Sequence, residues 1–187
     1  PYTPPETLHK VARLATVLRS YQRGRGVLYA VNLADAQKQI RDLCAERFRT
    51  ILYRRLMIRC AERLSACAHA TAICTGDSLG QVASQTLTNM ACIDDAARIL
   101  VLRPLITFDK TEIMAIARRI GTFAISSEQV PDSCSVFAPR SPATNAPRGR
   151  ILREEARAGS DDLLRTVLAN LSVLDPETLE EKPLTLG

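Results

Sequence analysis

The stretch Thr75-Gly-Asp-Ser-Leu-Gly-Gln-Val-Ala-Ser-Gln85-Thr-Leu87 decides how this chain is read. It leaves a short apolar run, Ala70–Thr75, which reads as a strand ending at Gly76. Beyond Gly80 the pattern predicts a helix that starts near Leu79 or Gln81 and runs to about Cys92. In a parallel α/β sheet, ligands sit beyond the carboxyl ends of the strands, at this kind of strand-to-helix turn. Glycine at 76 and 80 lets the backbone come close to a ligand, and N–H groups at a helix start can hold an anion or a ribose. The same pattern also describes a plain turn that binds nothing.

Upstream, Leu8, Val11, Leu14, Ala15 and Leu18 recur at spacings of three and four and predict a helix from Pro5 to about Tyr21. Gly24 and Gly26 break it, and Val27–Val31 reads as a buried strand. Ala34–Ala45 reads as a helix. A second helix runs from about Glu46 to Ala68, with Ile51, Leu52, Leu56, Ile58 and Leu64 on one face and arginines elsewhere. Downstream, Ile99–Leu102 is a third strand, closed by Pro104. Asp109 and Glu112 then stand at the N-cap and N3 positions of a capping box, before a helix that ends ahead of Gly121. Strand and helix in alternation imply crossover connections, hence an α/β fold with a parallel sheet and helices on both faces. Ser126–Arg150 holds four prolines and reads as a long irregular segment around Cys134. One helix is expected over Ile151–Leu171, and a frayed tail over Asp175–Gly187.

The 187 residues are enough for one domain or most of one, and with 46% hydrophobic and 24% charged residues the composition is that of a soluble globular protein. Aromatics are 4%, with no Trp, so the core must be aliphatic. A net charge of +5 and a pI near 9.1 permit a polyanionic partner such as RNA without specifying one. No apolar run is long enough to span a bilayer, and the start carries no signal-peptide pattern. The six cysteines, Cys44, Cys60, Cys67, Cys74, Cys92 and Cys134, contain no Cys-x-x-Cys, which argues against a zinc site or a disulfide framework. A reducing cytoplasm is expected, with no metal site and with five of the thiols as small buried core residues.

At this point a family resemblance becomes specific. The Thr75–Leu87 stretch is similar, nearly residue for residue, to a signature of the tRNA 4-thiouridine synthetases, which are PP-loop ATP pyrophosphatases. Leu102-Arg-Pro-Leu-Ile-Thr-Phe-Asp-Lys110 resembles a second family block, Tyr53-Arg-Arg-Leu-Met57 with Ala61-Glu-Arg63 a third, and Pro131-Asp-Ser-Cys134-Ser-Val-Phe-Ala-Pro139 a fourth. The resemblance covers roughly Pro1–Pro147. It implies that residues 1–150 are the C-terminal part of the pyrophosphatase domain and 151–187 a C-terminal helix and tail. By position, it places Arg54, Gly76 and Gln85 among ATP-binding residues and Cys134 as the catalytic cysteine. An arginine fork suits phosphate and an amide can read adenine, although an arginine on a helix carrying several is usually a solvated one. For Cys134 the Pro-rich loop and the nearness in sequence of Arg140 and Arg148 favour a thiolate.

The resemblance further implies Mg-ATP as substrate and tRNA as partner. Sulfur would come from a cysteine desulfurase or another persulfide donor, and a homodimer is possible in such a family. The implied activity converts uridine 8 to 4-thiouridine through an adenylated tRNA, and some members also supply sulfur for the thiazole of thiamine. Two departures matter. The family's phosphate-gripping Ser-Gly-Gly-x-Asp-Ser motif is absent, and so is the N-terminal RNA-binding region; the chain opens at Pro1 without Met, as a fragment or a processed product would. By resemblance the sheet order is 3-2-1-4-5 with the first two strands missing, which leaves Val27–Val31 beside a gap with an unpaired edge. The alternative reading is a non-catalytic fragment or a degenerate RNA-binding module.

Overall fold

The apolar spacing from Leu8 to Leu18 forms helix α1, Pro5–Arg19, in the computed structural model, which describes residues 5–23, 27–130 and 137–183. Pro5 opens the helix where its missing N–H costs nothing, and Glu6 and Arg19 sit at the ends that suit their charges. The chain divides into two units, each with its own packing.

One unit holds α1, strand β1 (Leu28–Val31), and two helices and two strands from later in the chain. The helices, α5 (Lys110–Arg119) and α6 (Phe123–Ser126), are separated by Gly121, whose φ of +79° ends α5. The strands are β4 (Leu171–Leu174) and β5 (Glu181–Pro183). Strand order is β1-β4-β5 and both pairings are antiparallel, with Leu28 opposite Leu174 and Ser172 opposite Pro183. Lys10 Nζ donates to the carbonyls of Ser126 and Glu128, each at 2.8 Å, and ties α1 to the end of α6.

This sheet corrects the reading of the C-terminus. Leu171 opens a strand instead of closing a helix, and residues 175–183 form an ordered return. Asp175 Oδ1 accepts the N–H groups of Glu177 at 2.8 Å and Thr178 at 3.2 Å, an Asx turn that reverses the chain. Leu171 and Leu174 are buried, so the strand is held by apolar packing as well as by its ladder. The parallel role expected of Val27–Val31 is corrected too. It pairs antiparallel with β4, in a different sheet from the strand at Ala72.

The second unit is built on α3, Arg49–Cys67, which follows α2 (Ala34–Leu43) and a 3-10 turn at Glu46–Phe48. Ile51, Leu52, Leu56, Ile58 and Cys60 of α3 are buried against α2, α4 (Leu87–Asp94), α7 (Arg148–Ala158) and α8 (Ser160–Ala169). Strands β2 (Ala72–Cys74) and β3 (Leu100–Leu102) pair in parallel, joined by α4 as the crossover. They form the parallel part of the α/β fold, and Leu100 is 62% exposed. The single helix expected over Ile151–Leu171 is two helices. Gly159 takes the left-handed conformation (φ 61°, ψ 49°) as the C-cap of α7, which a residue with a Cβ adopts only with strain. Among the described residues no helix is long and apolar enough to cross a membrane.

Arg55 of α3 is 1% exposed and fully engaged. Its Nε and Nη2 donate to the two oxygens of Glu155 on α7, at 2.9 and 3.0 Å. Its Nη1 donates to the Cys92 carbonyl on α4, and both terminal nitrogens reach Asp95. Removing one partner of a buried pair leaves the other charged and unsolvated, so Arg55→Ala should lose about 3 to 5 kcal/mol in urea unfolding. Arg55→Met with Glu155→Leu should recover most of it. Wild-type stability of Arg55→Ala would show that the pair does not organise this unit.

Candidate functional site

Both strands of the parallel pair end in loops that lie side by side. Thr75 N–H donates to the Leu102 carbonyl at 3.0 Å, adding one rung to the ladder. Leu79 N–H then donates to Ile106 O at 3.0 Å, and Ser78 Oγ to Phe108 O at 2.7 Å. The stretch after β2 and residues Leu102–Phe108 therefore form one wall beyond the carboxyl ends of the strands.

The helix expected from Leu79 or Gln81 begins only at Leu87. Gly80 (φ +77°) turns the chain and donates its N–H to the Gln85 carbonyl at 2.9 Å, and Ala83–Gln85 forms a single 3-10 turn. Thr86 is the cap, its Oγ1 accepting the N–H of Asn89 at 3.3 Å. Residues 76–86 are thus an irregular cradle, and a helix N-terminus beside Gly76 is not part of it. A Cβ at Gly76 would meet nothing within 4 Å, so the backbone there faces open space.

Asp77 stands at the centre, 4% exposed. Its Oδ1 accepts from Arg54 Nη2 and, at 3.2 Å, from Gln85 Nε2. Its Oδ2 accepts from Thr75 Oγ1 at 2.8 Å and from Arg103 Nε at 3.2 Å. Arg54 Nη1 donates to Ser84 Oγ at 3.1 Å, and Arg103 forks onto Asp94. The structure thus brings Arg54 and Gln85 onto one carboxylate, with Gly76 next to it in the chain. Gln85 Oε1 is buried and accepts no hydrogen bond, an acceptor for which the described residues offer no donor. Asp77, Ser84 and Arg103 were not singled out from sequence, although Asp77 and Ser84 lie inside the quoted stretch.

Cys134 lies outside the described residues. Of the five other cysteines, Cys44, Cys60 and Cys92 are buried, whereas Cys67 and Cys74 are exposed, which corrects the expectation that all five are core residues. Arg148, read as a neighbour of Cys134 in sequence, pairs with Asp95 at 2.6 Å. Burial pushes the thiols of Cys44 and Cys60 up to about 11 and raises that of Cys92. At pH 8 a thiol of that acidity is about one part in a thousand thiolate. Iodoacetamide should therefore label Cys67 and Cys74 well before Cys44 and Cys60 in peptide mass spectrometry. Equal labelling of the four would contradict this packing.

Burial by itself would raise the Asp77 carboxyl. Hydrogen bonds from Thr75 and Arg54, the Arg54 charge and the Gln85 amide outweigh it and hold Asp77 below its ordinary value. A carboxylate depressed in the folded state adds stability that is fully present above its unfolded pKa, about 3.9, and is lost as pH falls through the folded value. Asp77→Asn should cost about 2 kcal/mol near neutral pH, and the gap to wild type should close as pH drops below about 4. A gap independent of pH in acid unfolding curves would remove Asp77 as the charged hub.

Comparison with known proteins shows what the chain is similar to. Residues 1–158 match the family model described as "Thiamine biosynthesis protein (ThiI)". A probable tRNA sulfurtransferase of Coxiella burnetii is 40% identical over 174 residues, covering 93% of this chain and 44% of the relative. One from Moorella thermoacetica is 41% identical over 177 residues, 95% of this chain and 45% of the relative. One from Thermus thermophilus is 43% identical over 165 residues, 88% and 40%. A crystal structure of a 4-thiouridine synthetase–RNA complex with bound ATP matches with a TM-score of 0.87 at 35% identity, over 94% of this chain and 46% of that one. The chain spans a little under half the length of these relatives. It belongs to the ThiI family of thiamine biosynthesis proteins.

Proposed function

We propose that this chain is the C-terminal part, over residues 1–150, of a PP-loop pyrophosphatase domain that carries out ATP-dependent sulfur transfer to tRNA, with 151–187 as its closing helices and strands. The observation that carries the reading is the convergence of Arg54 and Gln85 on Asp77, beside the open backbone at Gly76. Arg54 supplies a guanidinium for phosphate, Gly76 a close backbone approach, and Gln85 an amide with an unused acceptor suited to an adenine amino group. The substrate is Mg-ATP.

In the reaction, O4 of uridine 8 attacks the α-phosphorus of ATP and pyrophosphate leaves. A persulfide, delivered by a cysteine desulfurase or another donor, attacks C4, and AMP departs with the former O4. Cys134 then attacks the carrier sulfur, which leaves a disulfide and releases 4-thiouridine. The same sulfur supply serves a thiamine thiazole in this reading. The setting is cytoplasmic, and a homodimer is compatible with it.

The test uses the chain in place of the matching segment of the Thermus thermophilus relative. Arg54→Ala should weaken ATP binding by about 10-fold or more, the worth of a hydrogen bond to a charged group. Cys134→Ala should leave ATP binding intact and abolish thiolation of a tRNA transcript. Unchanged ATP affinity in Arg54→Ala, or full thiolation by Cys134→Ala, would defeat the assignment. Salt-sensitive tRNA binding without ATP binding would favour the RNA-binding module instead.

A further inference from the structure

Away from the Asp77 cluster, in the same unit, the 3-10 turn at Glu46–Phe48 and the start of α7 line an open recess of about 630 Å³. Ala45, Phe48 and Pro147 make an apolar floor, and Arg47, Arg150 and Arg153 stand around it. The Arg47 guanidinium lies over the Phe48 ring, 5.5 Å from its centroid. Among the described residues neither Arg47 nor Arg153 has a carboxylate within ion-pair distance. Arg150 is 3.6 Å from Glu154, but that carboxylate is buried and also accepts from Arg157 at 3.3 Å and from Ala45 N–H at 2.9 Å. The nearby Glu46 carboxylate accepts the Arg140 backbone N–H at 3.0 Å.

The charge placement is unfavourable for the fold alone. The first turn of α7 carries Arg148 and Arg150 and no acidic residue, at the helix end that prefers negative charge. Arg150, Arg153 and Arg157 follow at i, i+3 and i+7, so they share one face, and all three are exposed. A set of like charges around an apolar floor is unfavourable in the free protein and becomes favourable against a polyanion that also offers a flat apolar group. RNA has both features, since its backbone phosphates match guanidinium forks and its unpaired bases stack on apolar and aromatic surfaces.

We propose that this recess is an RNA-docking surface, on which Arg47, Arg150 and Arg153 take backbone phosphates and the floor takes an unstacked base. The inference rests on the tRNA-directed reading above and adds where the RNA is held. It assigns these arginines to RNA binding alone, separate from the cluster at Asp77.

The 187-residue chain and its variants Arg47→Glu, Arg150→Glu, Arg153→Glu and the triple variant are titrated with an unmodified tRNA transcript by fluorescence anisotropy across a salt series. Arg63→Glu, the same charge change on the exposed side of α3, is the control. Each phosphate contact contributes about 0.7 to 0.9 to the slope of log affinity against log salt. The triple variant should therefore lose about 2 to 3 from that slope and bind about 10- to 100-fold more weakly at moderate salt. Arg63→Glu should move neither. The milder triple Arg→Gln set should show the same direction with the wild-type melting temperature, which separates lost contacts from lost folding. If wild type binds and the triple variants keep its affinity and slope, the recess is not the docking surface, while the sulfurtransferase reading stands. No binding by wild type would overturn the docking surface, while the sulfurtransferase reading is decided separately by the chimera. Loss of binding to vesicles of equal parts phosphatidylserine and phosphatidylcholine, with tRNA binding unchanged, would overturn the proposal in favour of a membrane surface.

Discussion

The bidentate pair between Arg55 and Glu155 is the constraint on which the second unit depends. It joins α3 to α7 across a buried interior, and the same guanidinium holds the Cys92 carbonyl of α4. A buried charge pair gains little over an apolar one, but it tolerates only one geometry. That geometry fixes the rotation of α3 about its axis. Successive residues on a helix point about 100° apart, so fixing Arg55 toward α7 also fixes Arg54 toward the loop after β2. The buried arginine thereby aims Arg54 at Asp77 and Ser84.

Asn89 imposes the second constraint. It is fully buried, and its Nδ2 donates to the carbonyls of Ala83 at 2.7 Å and Ala143 at 2.8 Å, while its Oδ1 accepts Ala146 N–H at 2.8 Å. Two irregular segments, neither with a ladder of its own, are thus pinned by one amide. One is the 3-10 turn that carries Ser84 and Gln85. The other leads into Asn145 and Pro147 at the arginine-rimmed recess. Buried polar groups that are almost fully satisfied specify position more than they add stability.

The helices and strands that could be read in the sequence are those whose signal is local. Helices α1, α2, α3 and α5 follow their apolar periods, and β2 and β3 their short apolar runs. The misses have non-local or competing causes. Residues 151–171 read as one helix, and Gly159 divides it by its left-handed conformation. Strand β4 is a strand because it has β1 and β5 to pair with, a fact of tertiary structure. Family resemblance points to Arg54, Gly76 and Gln85, two of which meet on Asp77, but it does not point to Asp77 itself. In sequence it is one more small polar turn residue, and its partners lie 2, 8, 23 and 26 residues away. Only folding shows that these four donors meet on one carboxylate.

That meeting also separates the three arginines by the donors each keeps. A guanidinium has five N–H donors. Arg55 commits all three of its nitrogens to Glu155, Asp95 and the Cys92 carbonyl, and is shut off from solvent. Arg103 commits all three to Asp77 and Asp94, and is 10% exposed. Arg54 commits one donor to Ser84 and one to Asp77, keeps the rest, and is 21% exposed. Asp77 holds Arg54 by one edge only, so the guanidinium is oriented without being consumed. A guanidinium braced in this way keeps donors for a further acceptor and has little rotamer freedom left to lose in meeting one.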